Sequence, residues 1–303
     1  MDTNTVKTRG MGWLRDLPDF RDYTPQHEKI KPMLAKLNMA VSAASAALPA
    51  SVDLRAWCTP IEDQKDLGSC TAQAGVGLIE FYENKAFGTY TDASRLFLYK
   101  VTRNLLGWTG DTGAYLSSTM AALTLFGAPP EKYWPYTTAQ PEPVAPASTN
   151  FDTEPPAFCY AFAQNYQSVE YYRLDSPGVT PADLLQRIKT NLAGNMPSMF
   201  GFTVYSSYQY SGTNGHFPFP CPKEKAVGGH AVVAVGYDDA KKIKNPSCGK
   251  ETTGALLIRN SWGTAWGDKG YGWLPYEYVL QGQADDWWTL IKQEYVNTGK
   301  FGL

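Results

Sequence analysis

The chain has 303 residues, 43% hydrophobic and 18% charged, with a formal net charge of -2, enough to bury a sizeable core as one large or two small domains. That charge, with no long basic run, gives no electrostatic reason to expect nucleic acid or a membrane surface as partner, and no apolar stretch reaches membrane-spanning length. Met1 to Arg9 is polar and Met39 to Ala47 is alanine-rich but short and internal, so no export signal is expected and the compartment stays open.

Residues 1–47 differ in character from the rest and read as an extension. Gly12-Trp13-Leu14 is followed by Asp16 to Tyr23, then by a short helical pattern with Ile30, Met33, Leu34 and Leu37 at i, i+3, i+4 and i+7. That stripe needs a surface to lie on. Trp13, Leu17, Phe20 and Tyr23 are expected to dock with it, and Ala40 to Ala47 resembles a flexible tether. Three helical patterns follow, from Cys70 to about Lys85, Ala93 to about Arg103 and Ala114 to about Phe126, the last stopped by Gly127. A proline-rich connection, Pro141 to Pro156, suggests a domain boundary. Beyond it the pattern turns to strands at Ser168 to Arg173, Ser198 to Tyr205, Ala231 to Tyr237, Ala255 to Arg259 and Tyr271 to Leu274, with one helix from Pro181 to about Leu192. The expectation is an α+β protein with a helical lobe at roughly 60–150, a β lobe at roughly 160–275, and a cleft between them.

Five cysteines leave at least one thiol unpaired within the chain, and Cys70 is the natural odd one out. Cys58, Cys159, Cys221 and Cys248 lack C-x-x-C spacing, which argues against zinc and leaves thiols or one or two disulfides. Of the pairings, Cys221 with Cys248 is the first choice, because both flank one predicted hairpin region. No metal or cofactor is expected.

Cys70 reads as a nucleophile. Ser69 is a good N-cap residue, so Cys70 opens a helix whose unpaired N–H groups and dipole favour a thiolate. A working thiol also needs a base, a group to orient the base and an oxyanion donor. His230, Asn260 and Gln64 supply one candidate each. Taken alone, His230 reads equally as a satisfied histidine at a strand end and Gln64 as a surface glutamine. His27 and His216 lie in the extension and in an Asn/Gly/Pro loop.

Gln64 and Cys70 with five residues between them, Gly229-His230-Ala231-Val232, and Asn260-Ser261-Trp262-Gly263 together resemble the papain family of cysteine peptidases from about Leu48 onward, and among its members a bacterial type with a short N-terminal extension. The family's local signature has a cysteine three residues before the nucleophile and an aromatic residue after it, where this chain has Leu67 and Thr71. A family disulfide is therefore missing, not a catalytic group. The histidine and asparagine also lie further past the cysteine than the family's 130–150 residues or so. The proline-rich connection and Asp238 to Gly254, both expected as surface loops, would account for the excess.

The resemblance implies a papain-like two-lobed fold with a helical left lobe and a β-barrel-like right lobe, residues 48–303 as catalytic domain, and a C-terminal segment crossing back. It implies an endopeptidase acting through a thioester on peptide or protein substrates, with Cys70 as nucleophile, His230 as base, Asn260 as its orienter, and Gln64 with the Cys70 N–H as oxyanion donors. Trp262 would cover the His230–Asn260 bond and line the leaving-group side. Gly113, Ala114, Gly228 and Ala231 would border a pocket with room for a bulky apolar group. The extension is expected to regulate access to the cleft, in a monomer. Competing readings are a thiol acyltransferase or deamidase on the same fold, and a catalytically silent peptide-binding module.

Overall fold

The computed structural model describes residues 9–37, 48–139, 150–166 and 168–293. Its central helix, α2 (Cys70–Phe87), follows α1 (Ile30–Lys36) in the extension. Every residue from Cys70 to Phe81 is buried, as a helix apolar all round must be, and Gly88 ends it in the left-handed region. Helix α3 (Arg95–Leu105) starts where the Ser94 hydroxyl accepts the Phe97 N–H at 3.1 Å. Helix α4 (Leu116–Leu125) runs to Gly127, which has a φ of 72°. Both pack on α2 and complete a helical lobe.

The other half is one antiparallel sheet. Strands β2 (Ser168–Arg173), β3 (Ser198–Tyr205), β4 (Ala226–Lys244), β5 (Glu251–Arg259), β6 (Tyr271–Pro275) and β7 (Ala284–Gln293) lie in the order β2-β7-β3-β4-β5-β6, and β1 (Ser51–Asp53) pairs with β4. The sheet stays open, so the β-barrel-like expectation holds only loosely. Helix α5 (Ala157–Ala163), α6 (Pro181–Ala193) and the single turn α7 (Glu277–Leu280) complete the elements. Strand β4 crosses α2, and this crossing brings the two lobes' candidate residues together.

Two expectations change, while the first-choice pairing of Cys221 with Cys248 is the one observed. Asp238 to Gly254 is not a surface loop: β4 and β5 continue as a paired ribbon through Lys244 and Glu251, and a Cys221–Cys248 disulfide ties its far end. Cys58, Cys70 and Cys159 are free. In the extension Trp13, Ile30 and Leu34 are buried, but Leu17 is 71% and Phe20 93% exposed, so docking rests on the tryptophan and one helix face. The tether and most of the proline-rich connection lie outside the described residues.

Candidate active site

Cys70 is the first residue of α2, and the loop before it is clamped. The Gly68 N–H donates to both carboxylate oxygens of Asp111 at 2.9 and 3.1 Å. Asp111 also accepts the Tyr99 hydroxyl at 2.6 Å, and that hydroxyl accepts the Gly113 N–H at 3.0 Å. A hydrogen-bonded carboxylate thus joins the loop before Cys70 to the stretch from Asp111 to Gly113. Ser69 occupies the N-cap position without capping: its hydroxyl pairs with the Tyr136 hydroxyl at 2.7 Å.

From the β lobe, His230 stands on β4 opposite Phe202. Its Nε2 lies 2.7 Å from Asn260 Oδ1. That oxygen also accepts the Ser261 N–H at 2.8 Å, so it is an acceptor and Nε2 carries the proton. Nδ1 is left as the basic nitrogen, with no hydrogen-bond partner among the described residues. The ring of Trp262 stacks on the imidazole, centroids 4.5 Å apart. Ala231, next to His230, directs its N–H at the Cys70 sulfur. Gln64 Nε2 donates to Leu67 O at 2.9 Å and to Gly10 O of the extension, while the Ser261 hydroxyl donates to its Oε1 at 2.5 Å.

The cleft is filled by the protein's own extension. Gly10 N–H donates to Lys65 O at 3.0 Å, and Gln64 Nε2 donates to Gly10 O at 3.0 Å. The Gly12 N–H donates to Cys70 Sγ at 3.3 Å, and the Ala114 N–H donates to Gly12 O at 2.8 Å. Trp13 N–H donates to Gly229 O and Leu14 N–H to Ala114 O, each at 3.1 Å. The segment is therefore stitched to both walls, running parallel to Ala114. Gly10 and Gly12 are required for so close an approach: a Cβ on them would fall 2.1 Å from Leu67 O and 1.9 Å from Gly68 O.

This cover sets the charge state. Burial pushes the Cys70 thiol up to about 11, against backbone N–H donors that pull it down. Burial likewise pulls His230 down to about 4, opposed by its bond to Asn260. With the extension in place burial favours the neutral thiol and the neutral imidazole, because desolvation outweighs the N–H donors at the sulfur and the Asn260 bond at the ring.

Gly113 and Ala114 lie against the segment, Gly228 faces Met11, and Ala231 contributes its backbone N–H. Sequence reasoning missed Gly201 and Asp286, which close the pocket around Trp13. Gly201 sits inside an apolar strand and Asp286 beyond the last recognised strand, so neither carried a local signal.

The family profile described as papain family cysteine protease matches residues 48–281. An uncharacterised peptidase C1-like protein of Acanthamoeba polyphaga mimivirus is 31% identical over 96% of this chain and 89% of its own length. Cathepsin K of Gallus gallus is 28% identical over 75% of this chain and 59% of its own. The crystal structure of xylellain, a cysteine protease from Xylella fastidiosa, superposes with a TM-score of 0.73 at 33% identity, covering 96% of this chain and 98% of that one. Viral, avian and bacterial relatives together do not single out a bacterial type.

Proposed function

The chain belongs to the papain family of cysteine proteases, and from that premise we propose an endopeptidase that works through a thioester on Cys70 and is held closed by its own N-terminal extension. The observation that carries this reading is the backbone from Gly10 to Leu14, hydrogen-bonded to both cleft walls across the Cys70 sulfur. It occupies the place a bound peptide needs. An N–H, not a carbonyl carbon, faces the sulfur, so the segment presents no bond placed for attack there.

Once the segment leaves, His230 Nδ1 takes the thiol proton and the sulfur attacks the substrate carbonyl. The oxygen that gains charge meets the Gln64 side-chain N–H and the Cys70 backbone N–H; losing one such donor typically costs about 10²–10³ in turnover. The imidazolium then returns its proton to the leaving amine nitrogen as the C–N bond breaks, which leaves the thioester. Water, deprotonated by Nδ1, attacks the thioester carbonyl and releases the carboxylic acid and the thiol. Asn260 holds the ring's orientation without adding a second negative charge.

An acyltransferase or deamidase would share these steps and differ only in acceptor, and no observation favours either. A silent binding module is disfavoured because Gln64, Cys70, His230 and Asn260 are all present. The test is thiol-dependent cleavage of a mixed peptide library by the chain carrying Gly12→Ala, whose methyl would clash with Gly68 O and lift the segment, and by the same chain with Cys70→Ser or His230→Ala added. Cleavage at internal bonds, lost at least about 10³-fold in both variants, is the expected result. Turnover that persists in Cys70→Ser overturns the assignment.

A further inference from the structure

The extension fills the cleft with one large side chain, and the surroundings of that side chain are unusual. Trp13 is 7% exposed. Its ring lies where a Cβ on Gly201 would come within 1.9 Å of Trp13 Cε2, and where one on Gly229 would come within 2.4 Å of the Trp13 carbonyl oxygen. Two glycines therefore make the space. The floor is a carboxylate: Trp13 Nε1 donates to Asp286 Oδ2 at 3.1 Å, while Trp288 Nε1 donates to Oδ1 at 2.7 Å. Asp286 is completely buried.

The groups around this floor change when the extension lifts. Arg173 Nη2 lies 3.5 Å from Asp286, and Arg173 also pairs with Asp175 at 3.0 Å and with Asp22 of the extension at 3.3 Å. Beside them Arg15 of the extension pairs with Asp285 at 2.9 Å. Departure removes Trp13, Arg15 and Asp22 together. Arg15 and Asp22 cancel, so Asp175, Asp285 and Asp286 outnumber Arg173 by the same margin as before, and what changes at the floor is that Oδ2 of Asp286 has lost its donor. A buried acceptor without a donor is costly. Whatever enters this pocket must replace the indole N–H.

We infer that Asp286 is a specificity-determining residue, and that the pocket vacated by Trp13 selects substrates whose side chain reaches the floor and ends in an N–H donor, arginine or tryptophan, over apolar side chains of the same length. This rests on the proteolytic reading of the cleft and refines the apolar preference expected from the small residues at its rim. Both donor side chains fit one chemistry, an N–H aimed at Oδ2; burial raises the Asp286 carboxyl to about 7, and a guanidinium brought beside it would favour its charged form. A site that hydrogen-bonds a substrate group rejects an analogue lacking it far more strongly than a purely apolar pocket rejects a size mismatch.

The experiment uses the full chain carrying Gly12→Ala and Trp13→Ala, which forces the segment off the sulfur, where a methyl on residue 12 would meet Gly68 O at 1.9 Å, and empties the pocket. A mixed peptide library, with cleaved bonds read by mass spectrometry, identifies the most selective position. Matched peptides then place arginine against norleucine, and tryptophan against 1-naphthylalanine, at that position. These pairs differ in the N–H donor while nearly conserving reach. The expected result is a kcat/KM at least about tenfold higher for each donor-bearing member. Asp286→Asn in the same background, with its melting temperature checked, should reduce the arginine preference at least about tenfold while norleucine peptides are cut at similar rates. Equal cleavage within both pairs overturns the inference and leaves the protease reading standing. Failure to cleave any library peptide overturns both.

Discussion

The amide of Gly12 donates to Sγ of Cys70 at 3.3 Å, which ties the chemistry of the thiol to the position of the extension. With the thiol raised from the ordinary 9.0 to about 11, the thiolate fraction at pH 8 falls about a hundredfold. Alkylation of Cys70 in the full chain should therefore be slow at neutral pH and climb between about pH 9 and 11. The Gly12→Ala chain, whose methyl would clash with Gly68 O and force the segment off the sulfur, should react at pH 7 at least about tenfold faster, with a profile belonging to the Cys70–His230 couple. Mass spectrometry of the alkylated peptide reads both rates, and identical profiles would contradict the covering role.

An inhibitory extension and one that merely pads the enzyme differ most clearly at Gly12. Removing everything before Leu48 would also strip Ile30 and Leu34, both buried, so a truncated chain confounds inhibition with stability. Gly12→Ala does not. Its new methyl would meet Gly68 O at 1.9 Å, pushing the segment off the sulfur while the α1 contacts remain. Initial rates on a good peptide should rise at least about tenfold with the melting temperature lowered by only a few degrees. Unchanged rates with a lower melting temperature would favour padding.

The helical lobe and the four polar groups of the candidate site were legible because each rests on local chemistry: apolar runs of helical length, and short motifs of reactive side chains. What occupies the cleft was not. The Gly10–Leu14 segment takes its conformation from partners more than 50 residues away, such as Cys70 and Gly229, and has no periodicity of its own. Phe20 shows the opposite failure. It was expected to dock on hydrophobicity alone, yet its ring is exposed, since a single apolar side chain on a surface is common. Strand β7 escaped notice because Asp285 and Asp286 interrupt its apolar pattern, and Asp286 is the residue that closes the Trp13 pocket.

Asp111 should matter for turnover more than its distance from the sulfur suggests. It accepts the Gly68 N–H at 2.9 and 3.1 Å and the Tyr99 hydroxyl at 2.6 Å, holding the loop before Cys70 against the stretch that pairs with the bound segment. Asp111→Ala frees that loop and strands the Gly68 N–H. In the Gly12→Ala background, kcat should fall about 10- to 100-fold, as misplacement by an ångström can do. Tyr99→Phe, which keeps the carboxylate on Gly68, should lose much less. Equal losses in both variants would mean that Asp111 acts only through Tyr99.

The last prediction concerns Glu80, a buried acid on α2 that joins the lobes. Its Oε2 accepts the Thr59 hydroxyl at 2.6 Å and its Oε1 the Ala93 N–H at 3.1 Å. Arg259 of β5 donates to the same Thr59 hydroxyl oxygen at 3.0 Å. Burial, partly offset by Arg259, raises Glu80 from the ordinary 4.5 to about 7. Because the folded value lies above the unfolded one, the protonated acid's stabilisation is fully present below about pH 4.5 and is lost as pH rises through about 7. Above that, the folded protein carries a buried carboxylate at a cost of up to about 3 kcal/mol. Glu80→Gln is neutral at every pH and retains an acceptor for the Ala93 N–H. Its melting temperature should match the parent near pH 5 and exceed it by several degrees at pH 8. Thermal unfolding at the two pH values checks this, and a difference that does not grow with pH would show that Arg259 already compensates the carboxylate in full.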